Sequence, residues 1–122
     1  MSAARIIHVV DDEAIVRDST ELLLSMQGFQ VKLYDSAAGF LAAEPEPGCA
    51  LVDIRMPGMD GLALARAVRA KGWDMPVILI SGHMEPSLGV RALRAGAFDV
   101  IEKPYTECVL LAAIDRAIPA QA

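Results

Sequence analysis

Four short stretches of the 122-residue chain are almost unbroken in apolar residues. They are Ile6-Ile7-His8-Val9-Val10, Cys49-Ala50-Leu51-Val52 leading to Asp53-Ile54, Val77-Ile78-Leu79-Ile80 after Pro76, and the brief Val100-Ile101. Such runs belong to strands buried on both faces, as in a parallel sheet covered by helices. Phe29 to Tyr34 differs: Phe29, Val31 and Leu33 alternate with Gln30 and Lys32, which predicts an edge strand with one wet face.

Helical spacing fills the gaps. Ile15, Ser19, Leu22, Leu23 and Met26 predict an amphipathic helix with that row turned inward, ended by Gly28. Ser36 is a candidate N-cap for a short helix to about Ala43, stopped by Pro45 and Pro47. Asp60 can cap a helix carrying Leu64, Ala67 and Val68 and closed by Gly72. Pro86 suits a first helical position, with Val90, Leu93 and Ala97 on one side of the helix it opens. Leu110, Ala113, Ile114, Ala117 and Ile118 form the stripe of the last helix. The alternation predicts a doubly wound α/β fold of (βα)5 type, one domain over residues 1–122, with 119–122 either its natural end or the start of a linker.

Composition narrows the class. The chain is 54% apolar, which excludes a disordered tail. A net charge of −5 argues against nucleic-acid binding through overall charge. No apolar run approaches the ~20 residues of a membrane span, and the N-terminus lacks the pattern of a signal peptide. Cys49 and Cys108 cannot make a disulfide scaffold and read as two small buried hydrophobes in a reducing, cytoplasmic setting. No P-loop or Gly-x-Gly-x-x-Gly pattern supports nucleotide binding.

In open α/β sheets ligands bind at the carboxyl ends of the strands. Each predicted central strand ends in polar groups: Asp11-Asp12-Glu13, then Asp53, then Ser81-Gly82-His83, then Glu102-Lys103-Pro104. If the strand order is 2-1-3-4-5, Asp11, Asp12 and Asp53 converge. Three close carboxylates repel, and a hard cation such as Mg2+ relieves them. Lys103 adds a compact positive charge and Ser81 a hydroxyl. A carboxylate can attack phosphorus to give an aspartyl-phosphate, and the transferred group needs a metal and cationic or hydrogen-bonding partners. Asp53 is the candidate nucleophile, because it ends a buried central strand ahead of a tight turn.

The residues Val9-Val10-Asp11-Asp12-Glu13, Leu51 to Gly61 with its Met56-Pro57-Gly58-Met59-Asp60-Gly61 loop, Ile80-Ser81-Gly82 and Lys103-Pro104 resemble the receiver domain of two-component response regulators. Ala95-Gly96-Ala97-Phe98-Asp99 and Ile101 to Tyr105 are most similar to the nitrogen-fixation-regulator type. The resemblance implies a flavodoxin-like five-stranded sheet in 2-1-3-4-5 order and a Mg2+-dependent transfer of a phosphoryl group from a histidine kinase to Asp53. It implies metal ligation by Asp12, Asp53 and the backbone carbonyl of Arg55, with Asp11 acting through water. It assigns phosphoryl oxygens to Ser81 and Lys103, makes the Lys103–Pro104 peptide cis, and is compatible with a phosphorylation-dependent homodimer. It makes the chain a signalling domain, not a metabolic enzyme, with catalysis limited to its own phosphotransfer and slow dephosphorylation.

Two rival readings remain at this point. A Mg2+-dependent aspartyl-phosphate phosphatase would need a second acid two residues after the nucleophile, where Arg55 stands. A receiver-like interaction module without phosphorylation would not need the intact Asp12, Asp53, Ser81 and Lys103. His83 reads as an exposed loop residue near the phosphoryl group, His8 as structural, and Trp73 and the methionines as packing residues. One position departs from the family: Val100 stands where receivers usually carry an aromatic residue. It is stiff and lacks a polar tip, and Phe98 and Tyr105 are off register. A switch would then run through backbone motion around residues 81–85 and the following helix, which Gly89 weakens by roughly 1 kcal/mol.

Overall fold

A computed structural model describes residues 5–118. Its strands are β1 (Ile6–Val10), β2 (Gln30–Tyr34), β3 (Cys49–Asp53), β4 (Val77–Ser81) and β5 (Asp99–Glu102). The helices alternate with them: α1 (Ala14–Met26), α2 (Ala37–Ala42), α3 (Gly61–Ala70), α4 (Pro86–Arg94) and α5 (Glu107–Ala117). All pairings are parallel, in the order β2-β1-β3-β4-β5. The proposed linker residues 119–122 lie outside the described residues.

Three of the four unbroken runs are the central strands, and all their residues are buried; the fourth, Val100-Ile101, lies in edge strand β5, where only Ile101 is buried, because no further strand covers that side. Successive side chains of a strand point to opposite faces, so each run feeds two cores. Ile7, Val9, Leu51, Ile78 and Ile80 meet Leu24 of α1 and Leu110, Ala113 and Ile114 of α5. Val10, Val52, Val77 and Leu79 meet Phe40 of α2, Leu64 and Val68 of α3, and Leu88 and Ala92 of α4. The alternating segment is an edge strand, as its pattern required. Ser36, Asp60 and Thr106 cap α2, α3 and α5 by accepting from the backbone N–H three residues on.

Two helices are rotated from the expected faces. On α1, Ile15 is 82% exposed, and Leu22 and Met26 also face outward. The inward row is Val16, Thr20 and Leu24, with Leu23 beside it. Polar Thr20 in the true seam broke the apolar count, and the outer row supplied a false one. On α4, Val90 and Leu93 are exposed while Leu88, Ala92 and Ala95 are buried; small alanines mark the seam weakly against larger outward residues. The α5 stripe faces inward as expected, with Leu110, Ala113 and Ile114 fully buried.

Smaller expectations divide. Cys49 is buried, but Cys108 is exposed on α5, where it projects away from the Leu110–Ile114 seam. Met56 and Met75 are core residues, whereas Met26, Met59 and Met84 are exposed. Trp73 is half-buried and packs edge-on to Phe40 at 6.3 Å between ring centroids. His8 is structural: its ring is fully buried, with Nδ1 3.0 Å from the Tyr34 hydroxyl and Nε2 2.7 Å from the Glu46 carbonyl.

Candidate functional site

The carboxyl ends of β1 and β3 bring Asp11, Asp12 and Asp53 together. One carboxylate oxygen from each lies within 4.8 Å of the other two. Asp11 and Asp53 are buried and Asp12 is exposed. Lys103, just past the end of β5, places Nζ 3.8 Å from Asp53 Oδ1. Its backbone N–H donates to the Ser81 carbonyl at 2.7 Å, and its peptide to Pro104 is cis. Burial pushes the Asp53 carboxyl above its ordinary range; the Lys103 ammonium opposes this, Asp11 and Asp12 add to the rise, and a hydrogen bond from the Arg55 backbone pulls it down. An anion raised in this way by its neighbours gains from a bound cation. Clustered hard oxygen donors, some dry and one open to water, fit Mg2+.

Local packing fixes the nucleophile's strand end. The Ile54 N–H donates to the Ile80 carbonyl at 3.0 Å, and the Gly61 N–H to the Ile54 carbonyl at 2.9 Å. A Cβ at Gly61 would come within 2.7 Å of the Asp53 carbonyl oxygen, so only glycine lets α3 start this close to the site. Gly58 turns the intervening loop at φ +77°, a conformation glycine adopts without strain.

Ser81 is buried at the end of β4, but its hydroxyl is turned into its own loop. It donates to the His83 carbonyl at 2.9 Å and accepts from the His83 N–H at 3.0 Å. His83 is exposed, 3.8 Å from the Glu85 carboxylate. Arg55 lines a cavity of about 560 Å3 together with Met56, Asp60, Ser81, His83 and Arg91. Val100 is half-buried against the Leu79 and Leu88 core.

Sequence reasoning missed one neighbour of the acids, Arg17. Its Nη1 donates to the backbone carbonyl of Asp11 at 2.7 Å. The only sequence signal is an arginine one turn into a helix that follows two aspartates.

A doubly wound 2-1-3-4-5 sheet with this acid pocket and facing lysine defines a receiver-type signalling domain. The chain belongs to the response regulator receiver domain family, which matches residues 7–115, and so to phosphorylation-based two-component signalling. It is 42% identical over 114 residues to the transcriptional regulatory protein FixJ of Bradyrhizobium diazoefficiens, covering 92% of this chain and 56% of that protein. Against FixJ of Rhizobium meliloti the identity is 43% over 113 residues, covering 91% and 55%. The chain therefore spans about half the length of these relatives. Its structure is similar to the crystal structure of FixJ-N, with a TM-score of 0.86, 41% identity and 94% of each chain covered. A CheY-like receiver from Methanospirillum hungatei has a TM-score of 0.88 at 32% identity, covering 96% of this chain and 95% of the other. Among the described residues no helix is long and apolar enough to cross a membrane.

Proposed function

We propose that Asp53 is the phosphoacceptor of this receiver and that a histidine kinase supplies the phosphoryl group. The carrying observation is that Asp53, at a buried strand end, lies within 4.8 Å of two further carboxylates and 3.8 Å from Lys103. An Asp53 carboxylate oxygen attacks phosphorus. The new O–P bond replaces the N–P bond of the donor phosphohistidine, and the imidazole leaves to be protonated. Mg2+ would supply charge neutralisation between the carboxylates and the incoming phosphoryl oxygens. Asp12, Asp53 and the Arg55 backbone carbonyl would hold it, and Asp11 would act through a water. Lys103 pairs with one phosphoryl oxygen. Ser81 turns from His83 to donate to another, so the loop around His83 must move.

This reading makes residues 1–122 one receiver domain that catalyses nothing beyond its own phosphotransfer and slow dephosphorylation. Its location is cytoplasmic, where its donor kinase presents phosphohistidine. The exposed Val90, Leu93 and Phe98 give the α4–β5 side an apolar surface fit for a phosphorylation-dependent homodimer. The test adds Mg2+ and a small-molecule phosphodonor and looks for a base-labile mass gain of one phosphoryl. Asp53→Asn should abolish it with the fold intact, and full labelling of that variant would sink the assignment. Asp12→Ala should flatten the Mg2+ titration of amides 10–13 and 53–56; an unchanged titration refutes the metal site. Sedimentation before and after phosphorylation reads the dimer, and a monomer in both states removes it.

A further inference from the structure

We propose that Arg17 is a positioning residue that holds the Asp11–Asp12 segment in its metal-receiving geometry. The inference rests on the metal reading above and adds to it a residue outside the pocket. Three hydrogen bonds fix Asp11. Its N–H donates to the Tyr34 carbonyl of β2 at 3.1 Å. Its Oδ1 accepts from the Glu13 N–H at 2.9 Å. Its backbone carbonyl accepts from Arg17 Nη1 at 2.7 Å. The first two tie Asp11 to the sheet and to the start of the helix. The third is the bond that anchors the peptide joining Asp11 to Asp12, because it holds the carbonyl of that very peptide.

Local structure leaves this task to Arg17. The residue preceding α1, Glu13, makes no side-chain cap, and the first turn carries no acidic residue. The chain enters the helix without the usual side-chain closure of its first turn. Arg17 compensates from within, reaching back six residues from a half-buried position. A guanidinium does this well, since a planar charged donor makes a short, directed bond to a carbonyl. Asp12 is exposed, so little besides its own backbone fixes where its carboxylate points. Fixing the Asp11–Asp12 peptide therefore fixes the backbone from which the Asp12 carboxylate projects.

Partners that orient metal ligands typically change metal affinity by about 10- to 100-fold when removed. Arg17→Met keeps the apolar stem and removes the donor; Arg17→Lys keeps a donor. The measurements are Mg2+ affinity by amide titration, hydrogen exchange at residues 11–13, and phosphorylation rate against Mg2+ concentration. Arg17→Met should weaken Mg2+ by about tenfold, speed exchange at Asp12 and Glu13, and lower the rate at limiting but not saturating Mg2+. Arg17→Lys should recover most of the affinity. Leu24→Ala is the stability control: it loosens the same helix without touching the segment, and its Mg2+ affinity should stay near wild type. The proposal is overturned if Arg17→Met binds Mg2+ like wild type, or if Leu24→Ala weakens Mg2+ equally. Mg2+ failing to bind the wild-type chain would instead overturn the metal reading itself.

Discussion

Replacing Asp53 by Asn should stabilise the protein in the absence of Mg2+, although it removes the residue on which function rests. Asp53 is only 8% exposed, and its carboxylate lies within 4.8 Å of two others, with Lys103 at 3.8 Å. At an effective dielectric constant of about 20, unit charges repel by about 3.5 kcal/mol at the first distance and attract by about 4.4 kcal/mol at the second. Lys103 therefore offsets one neighbouring carboxylate but not two, and the Arg55 backbone hydrogen bond offsets only part of the desolvation of Asp53. Solvent around exposed Asp12 and one-third-exposed Lys103 screens these figures heavily. A net gain of about 1–2 kcal/mol remains for Asp53→Asn at pH 7, or about 4–8 °C in Tm. The sign follows from linkage. The folded-state pKa is raised above the usual 3.8, so the folded chain holds a proton that the unfolded chain has lost. Wild-type stability thus falls as pH rises from the unfolded to the folded pKa, and the whole penalty is present above it. The gap between variant and wild type should open with rising pH and close near pH 4. Mg2+ at ten times its Kd should return about 1.4 kcal/mol to wild type and little to the variant. Urea unfolding at pH 4, 5.5 and 7, with EDTA or Mg2+, measures all of this. A variant no more stable than wild type at pH 7 in EDTA, or a gap independent of pH, would refute the reasoning.

A phosphoryl mimic such as beryllofluoride should shift amides 81–95 far more than the Val100 methyls, because Ser81 must leave His83; equal protection of 81–95 in both states by hydrogen exchange would exclude this route. Gly61→Ala should cost about 1–3 kcal/mol through overpacking against Asp53 and Ile54 and slow phosphorylation, and denaturation with parallel labelling separates the two effects. Burial lowers the His8 pKa from 6.5, against the pull of the Glu46 carbonyl, so the unfolded chain takes up a proton first and stability should fall as pH drops below about 6.5. His8→Gln should lose that slope while costing about 1–3 kcal/mol in lost hydrogen bonds at pH 7, and an unchanged slope in that variant would assign it to another group.

The acid pocket was legible because its members interrupt or end buried runs: Asp11, Asp53, Ser81 and Lys103 all stand where a strand's apolar string stops. Strand order then brings Asp11, Asp53 and Lys103 together, with Ser81 ending the adjoining strand. The helix faces were less legible. Periodicity reports that a helix has an apolar row, and α1 and α4 each carry two. Which row turns inward depends on the sheet beneath, where Thr20 and Ala92 fit the available space and Ile15 and Leu93 do not. Gly61 and Arg17 act through contacts with backbone atoms, which leave no mark in the pattern of side chains. Cys108 read as buried by residue type alone; its place beside, not within, the α5 seam decides otherwise.

The two cysteines have a practical consequence. Cys49 lies in the core with its thiol pushed up to about 12, so at neutral pH it stays protonated and out of reach. Cys108 stands in solvent on α5. A maleimide dye should therefore attach at one place in the unmodified sequence. The chain has a single tryptophan, Trp73, just beyond α3 on the opposite side of the sheet. The donor and the attachment point for an acceptor thus come built in, one on each side of the sheet. Movement of α5 relative to the Trp73 side can be followed by energy transfer in the native sequence, with no engineered reporter to disturb the pocket.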